Sequence, residues 1–275
     1  MTTVVKLGGR LQSDPQLPAA LAGFIRSRRG DVVVVHGGGD AISRVQRVLG
    51  LEPRFVDGRR VTTREDLEAV RMALSGTANK WLASALLSHD VSAVGISGED
   101  GACIVARPGD PSLGLVGVPH EIDVRLLLHL LSGGYVPVLS PVARDSRGGY
   151  GDALNMNGDD CAAAVASALG SSELLLLADV AGVLDGQGEA IPQLTRAAAG
   201  ELASNGTATG GMIAKLQAAE QALVGGVGEV RIGGIEALRD PSRGTRIISA
   251  HAGELRSPAH AGDSRYAASA RAATA

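Results

Sequence analysis

Of the 26 basic residues in this chain only three are lysines, Lys6, Lys80 and Lys215, and the rest are arginines. A lysine ammonium is a compact charge on a flexible stem and can follow a moving phosphoryl group, whereas a guanidinium is a planar fork. Two of the three lysines adjoin glycine pairs: Lys6 stands just before Gly8-Gly9, and Lys215 lies about one turn into a helix expected to begin after Gly210-Gly211. A third glycine cluster, Gly37-Gly38-Gly39, ends the apolar run Val32-Val33-Val34-Val35-His36. At such a strand-to-helix turn, unpaired backbone N–H groups and the positive helix terminus converge, which makes an anion cradle; a tight turn that binds nothing would use the same glycines. The turn is not a dinucleotide fingerprint, because the third glycine of G-x-G-x-x-G is replaced by Ile42, and the chain holds no G-x-x-x-x-G-K-[ST] loop.

Three further segments carry polar groups that suit the same chemistry. Asn155-Met156-Asn157-Gly158-Asp159-Asp160 leads into an alanine-rich helix. Asp159 or Asp160 can cap that helix, or Asn155 can donate to a substrate while Asp159 holds the two lysines. Arg59 and Arg60 in Gly58-Arg59-Arg60-Val61-Thr62 offer guanidinium forks for a carboxylate, or are surface cations. Asp179-Val180-Ala181-Gly182-Val183-Leu184 follows a buried strand, where an open α/β sheet places its nucleotide contacts.

The elements that must position these groups are legible from periodicity. Strands are expected at 3–7, 32–35, 135–140, 174–178, 229–232 and 246–249, with helices at 18–28, 41–49, 63–89, 124–131, 161–169, 197–203 and 212–223. The runs 91–97 and 102–107, separated by Gly98 and Gly101, read as a hairpin. Strand and helix alternate, which implies a mostly parallel sheet covered by helices on both faces, a three-layer αβα sandwich. We expect a first domain over 1–170, a second over 171–250, and a disordered tail over 251–275, rich in Ala, Ser, Arg and His. A length of 275 residues with 45% apolar content suffices for such a core. The 26 basic against 29 acidic side chains give no electrostatic grip on nucleic acid, and 2% aromatics give no base-stacking platform. Cys103 and Cys161 lack the spacing of a zinc or redox motif and read as reduced and structural. No apolar run is long enough to span a membrane and the opening residues do not resemble a signal peptide, so the expected location is the cytoplasm.

Lys6-Leu7-Gly8-Gly9, His36 with its three glycines, the Gly58–Thr62 and Gly76–Lys80 segments, Gly95–Gly101, Asn155–Asp159, Asp179–Leu184, Gly210–Lys215 and Gly244–Ile247 follow one another in an order and spacing that resembles the amino acid kinase family over roughly residues 1–250. The likeness is greatest to members that phosphorylate N-acetyl-L-glutamate. It implies an amino-terminal part that binds the acetylated amino acid and a carboxyl-terminal part that binds ATP with Mg²⁺, the metal held mainly through the ATP phosphates. By position, Lys6 and Lys215 would stabilise the phosphoryl group in flight and Asp159 would organise both. Gly9, Gly38 and Gly39 would donate backbone N–H groups, and Arg60 and Asn155 would hold the amino acid. Asp179, Val180, Ala181, Gly182, Val183, Leu184, Thr207, Ala208, Thr209 and Gly211 would line the nucleotide. The resemblance also implies a homodimer, formed through the 63–89 helix, and, with so few residues before Lys6, insensitivity to arginine. Gly158 stands where the family usually has alanine, and Asp160 where it has a neutral polar residue.

Such chemistry needs no general base, because a carboxylate of ordinary pKa near 4 is already an anion at neutral pH. The obstacle is one anion meeting another, so catalysis would consist of in-line positioning with cations and N–H donors around the transferred oxygens. Two other readings remain open at this point: a kinase that acts on an aminoadipyl or glutamyl group mounted on a carrier protein, and a non-catalytic nucleotide- or oxyanion-binding protein on the same fold.

Overall fold

A computed structural model describes residues 1–28, 31–56, 58–149, 152–208 and 210–249; the expected tail over 251–275 and Thr209 lie outside them. In chain order the elements are β1 (Thr3–Leu7), α1 (Leu17–Ser27), β2 (Val32–His36), α2 (Gly39–Val48), the short strands β3 (Phe55–Val56) and β4 (Arg59–Arg60), and α3 (Arg64–Val70). A π-helical stretch, Arg71–Ala78, leads into α4 (Asn79–Leu87), β5 (Ala93–Ser97), β6 (Ile104–Pro108), β7 (Val116–Ile122), α5 (Arg125–Ser132), β8 (Val136–Ser140), β9 (Val142–Asp145) and β10 (Ala153–Met156). Then come α6 (Gly158–Ala168), β11 (Glu173–Leu177), β12 (Gln193–Thr195), α7 (Arg196–Ser204), α8 (Gly211–Val224), β13 (Glu229–Gly233) and β14 (Thr245–Ile248).

Eight strands form one sheet in the order β12-β14-β13-β11-β1-β2-β8-β5. Every pair in it is parallel except β13 with β14. Side chains of a strand alternate between faces, and both faces are covered. Val4, Val33, Val35, Leu174 and Leu176 pack towards α6 and α8, while Val5, Leu7, Val32, Val34, Leu175 and Leu177 pack towards α1 and α4. That is the expected αβα sandwich. Lys6 shares the parity of Val4, so β1 delivers its stem to the α6/α8 layer.

Two expectations about local structure are corrected. The runs at 91–97 and 102–107 do not pair as a hairpin: β5 joins the main sheet beside β8, and β6 belongs to a small closed barrel, β10-β7-β6-β9. Gly98 marks the corner where the chain leaves the sheet, since a Cβ there would lie 2.7 Å from the Val142 carbonyl oxygen and 2.8 Å from Ile104 Cβ. The helix expected over 63–89 is a continuous helical run, but its centre is π-helical. Its start is fixed by a capping box in which Thr63 and Asp66 satisfy each other's backbone N–H groups.

Candidate active site

The parallel strands β1, β2 and β11 are in register, so Leu7, His36 and Leu177 bring their following loops to one edge of the sheet. From β1 the chain crosses to β2 on one side, while β11 pairs on the other. Ligands of open α/β sheets sit at such a switch point, outside the carboxyl ends of the strands.

Three charged side chains from three elements meet there. Lys6 Nζ of β1 is 2.8 Å from Asp159 Oδ1 in the first turn of α6, and Lys215 Nζ of α8 is 3.1 Å from Asp159 Oδ2. Lys6, Asp159 and Lys215 are 6%, 5% and 8% exposed, so one buried carboxylate faces two buried ammonium groups and the trio is one anion short of neutrality. Burial pushes the Asp159 carboxyl up, but the two ammonium charges outweigh it and hold it below the ordinary carboxylate range. Burial pushes Lys6 down; Asp159 opposes the shift and Lys215 adds to it. An unmatched buried cation is costly unless an anion arrives, and a phosphoryl group is such an anion.

The glycine loops supply the neutral donors. The N–H groups of Gly8 and Gly37 are spent on Leu177 and Leu7 carbonyls at 2.9 and 3.0 Å. Those of Gly9, Gly38 and Gly39 make no hydrogen bond among the described residues. The aim of the Gly38 N–H follows from the Gly37 carbonyl, which accepts from Gln12 Nε2 at 2.6 Å and His36 Nδ1 at 2.8 Å. A trans peptide is planar, so pinning that carbonyl turns the Gly38 N–H the opposite way. A Cβ on Gly9 would stand 3.2 Å from Gly39 N and 3.4 Å from Gly38 N, over the donors themselves.

His36 is held by a second network. Asn79 Nδ2 lies 3.0 Å from His36 Nε2 and also donates to the Val138 carbonyl at 2.8 Å, while Asn79 Oδ1 accepts from Lys80 Nζ at 3.2 Å. These partners set the amide orientation and make His36 Nε2 an acceptor and Nδ1 the protonated nitrogen. Burial holds the imidazole down to about 4, so it is neutral. The third lysine thus has a task of its own: Lys80 orients Asn79 and bonds the Gly95 carbonyl at 2.6 Å on the edge strand β5.

Two cavities meet at this edge and share Gly9. The larger, about 640 Å³, is walled by Lys6 and Lys215, by the loops after β1 and β11, and by the start of α8. Of the expected nucleotide residues it gathers Asp179, Val180, Gly182, Val183, Leu184, Thr207, Ala208 and Gly211. Ala181 does not line it, and Thr209 lies outside the described residues. The smaller, about 240 Å³, brings together Gly9, Gly38, Gly39, Arg60 and Asn155. Arg60 stacks on Phe55 at 4.7 Å and donates to Gln46, to the Gly39 carbonyl at 2.8 Å and to Ser43 Oγ at 2.9 Å. It therefore anchors the first turn of α2 as well as lining the cavity. Asn155, on β10 of the small barrel, donates to Thr62 Oγ1 at 3.1 Å.

Sequence reasoning missed several of these parts. The cap of α6 is Asn157, whose Oδ1 accepts from the Asp159 and Asp160 N–H groups at 2.7 and 3.3 Å, so neither aspartate is spent on capping. Gly158 lets that turn approach Lys6, for a Cβ there would be 3.2 Å from Lys6 Cε. Apolar walls also went unread: Leu202 and Met212 in the larger cavity, Ile42, Leu74 and Met156 in the smaller. Gln12 carried no motif at all.

The Amino acid kinase family profile matches residues 1–234. An acetylglutamate kinase of Chloroflexus aggregans is 40% identical over 253 residues, which is 91% of this chain and 98% of that protein. One from Cereibacter sphaeroides is 43% identical over 235 residues, 83% and 78% of the two chains. Among solved structures, a Streptococcus mutans protein superposes with a TM-score of 0.78 at 28% identity, covering 90% of this chain and 99% of that one. The Neisseria gonorrhoeae N-acetylglutamate synthase, complexed with coenzyme A and N-acetyl-glutamate, gives a TM-score of 0.77 at 25% identity over 90% of this chain and 59% of its own.

Proposed function

We infer that this chain, which belongs to the amino acid kinase family, transfers the γ-phosphoryl group of ATP to the side-chain carboxylate of N-acetyl-L-glutamate, the acyl-phosphate-forming step of arginine biosynthesis. The observation that carries the reading is the convergence of Lys6 and Lys215 on Asp159, an excess buried cation where the two cavities meet at Gly9.

In this reading ATP occupies the larger cavity and the amino acid the smaller. The substrate carboxylate oxygen attacks the γ-phosphorus, the new O–P bond forms as the bridging P–O bond breaks, and ADP leaves on the opposite side. No proton moves at the nucleophile. Lys6 and Lys215 neutralise the migrating charge, Asp159 keeps their two ammonium groups apart and aimed, and the N–H groups of Gly9, Gly38 and Gly39 bind the equatorial oxygens. Arg60 and Asn155 hold the acetylated amino acid. Both Asp159 oxygens already face ammonium groups, and among the described residues no cluster of three metal-ligating side chains exists. Mg²⁺ therefore fits as a companion of the ATP phosphates, where it would offset their charge.

The division into an amino-acid half over 1–170 and a nucleotide half over 171–250 is part of the same proposal, supported by the residues that line each cavity. Exposed Met72, Trp81 and Leu87 on the run from α3 to α4 support homodimerisation through that helix. Among the described residues no helix is long and apolar enough to cross a membrane, and we place the enzyme in the cytoplasm. The deciding experiment is a hydroxylamine trap: purified protein with ATP, Mg²⁺ and N-acetyl-L-glutamate should accumulate the hydroxamate. Protein that binds ATP yet yields none overturns the reading.

A further inference from the structure

N-acetyl-L-glutamate is a dianion, and its side-chain carboxylate is the one consumed. The free α-carboxylate needs its own cation in the smaller cavity. Arg60 is heavily committed there, with three of its donated hydrogen bonds going to Gln46, Gly39 and Ser43. Its neighbour Arg59 lines the same cavity. Among the described residues Arg59 makes no side-chain hydrogen bond, and its one ion pair is a loose 3.9 Å contact from Nη2 to Asp160 Oδ2. Asp160 is itself 8% exposed, and neither of its oxygens accepts a hydrogen bond among the described residues. The Arg59 side chain is 40% exposed, so its donors remain available at the rim of a cavity that is to receive a carboxylate.

We propose that Arg59 is a second carboxylate-binding guanidinium of this site, kept at the cavity rim by Asp160, and that it selects acyl acceptors carrying a free α-carboxylate. The proposal rests on the acetylglutamate reading above. When the substrate enters, the Arg59 fork exchanges a long contact with Asp160 for short charge-assisted bonds to the α-carboxylate. Arg60 contributes the donors it retains and keeps α2 in place. Asp160 stays behind the guanidinium, and burial, partly offset by Arg59, raises its carboxyl above the ordinary range, so it competes weakly for the cation.

The test compares two acceptors in steady-state kinetics: N-acetyl-L-glutamate and 4-acetamidobutanoate, which has the same acyl chain without the α-carboxylate. Arg59→Met should raise KM for N-acetyl-L-glutamate by about tenfold or more, the scale of losing one charge-assisted bond. It should leave KM for ATP and kcat/KM for 4-acetamidobutanoate within about twofold, and Arg59→Lys should recover part of the loss. A loss of the same factor with both acceptors would mean a structural role and would overturn the proposal, as would an Arg59→Met enzyme indistinguishable from the parent. If the parent enzyme itself forms no acyl phosphate from N-acetyl-L-glutamate, it is the underlying functional reading that fails.

Discussion

Lowering the pH should charge His36, and the cost can be worked out. In the folded chain the imidazole is neutral, its Nε2 accepting from Asn79 and its Nδ1 donating to the Gly37 carbonyl. The native group titrates at about 4, against an ordinary value of 6.5. Below pH 6.5 the unfolded chain takes up a proton that the native state refuses, so stability is complete above that pH. It declines as pH falls and stops declining once the native imidazole also titrates. At about 1.4 kcal/mol per pH unit the gap amounts to roughly 3 kcal/mol in total, of which about 2 kcal/mol falls between pH 7 and pH 5. Urea unfolding at those two pH values, on the parent protein and on His36→Asn, isolates this contribution from the carboxylates common to both. The parent should lose about 2 kcal/mol more than the variant over the interval. Nearer pH 4, where the native ring itself takes up a proton, protonated Nε2 would face the Asn79 amide donors, which Lys80 prevents from turning over, so the Gly37 carbonyl should loosen and activity should drop there. Equal pH slopes in the two proteins, or an NMR titration of the His36 ring near 6.5, would refute the argument.

Other outcomes follow from the same contacts. Lys215→Ala should lower kcat by at least about 10²-fold, the scale of removing one preorganised donor, with an unchanged circular dichroism spectrum; near-normal turnover would remove Lys215 from the proposed role. Because burial lowers the Lys6 ammonium from its ordinary 10.5, the alkaline limb of kcat/KM for ATP should bend below that pH; a limb at or above it would show that Lys6 is not the titrating group. Arg231 is 2% exposed and donates two bonds to Glu173 Oε1, at 3.0 and 2.8 Å. Glu173→Leu should therefore cost about 3–5 kcal/mol in denaturant unfolding by leaving a buried cation unpaired, and a loss under about 1 kcal/mol would contradict that account. Light scattering should return twice the chain mass of 27.9 kDa; a monomer would remove the proposed dimer.

What the sequence made legible was local. Four consecutive valines between turn signals read as a buried strand, and the glycines after a strand with a lysine beside them mark a loop that lines the larger cavity. The lysines at 6 and 215 could be singled out because the chain has only three lysines and these two adjoin glycine pairs. Three of the four barrel strands were not legible: β9 and β10 have four residues each, and β7 carries Gly117 and Pro119, residues that argue against a strand. Pairing set by residues far apart in the chain, as between Asn155 and Val116, has no periodic signature. The same holds for Gln12 and Asn79. Each acts by orienting another group, and an orientation does not show in residue type or spacing.

Placing β1 between β2 and β11 has a consequence for how the protein is made. Thr3 pairs with Val32 on one side and with Glu173 on the other. During synthesis β1 thus finds one neighbour early and waits for the other until β11 has emerged. Until then a valine-rich edge lies open, a stretch that nascent-chain chaperones are suited to shield. The last requirement comes later still, because the ammonium contributed by residue 215 completes the trio. On refolding from denaturant, catalytic competence should therefore return behind helical content, held back by the closure of loops that join residues far apart in the chain.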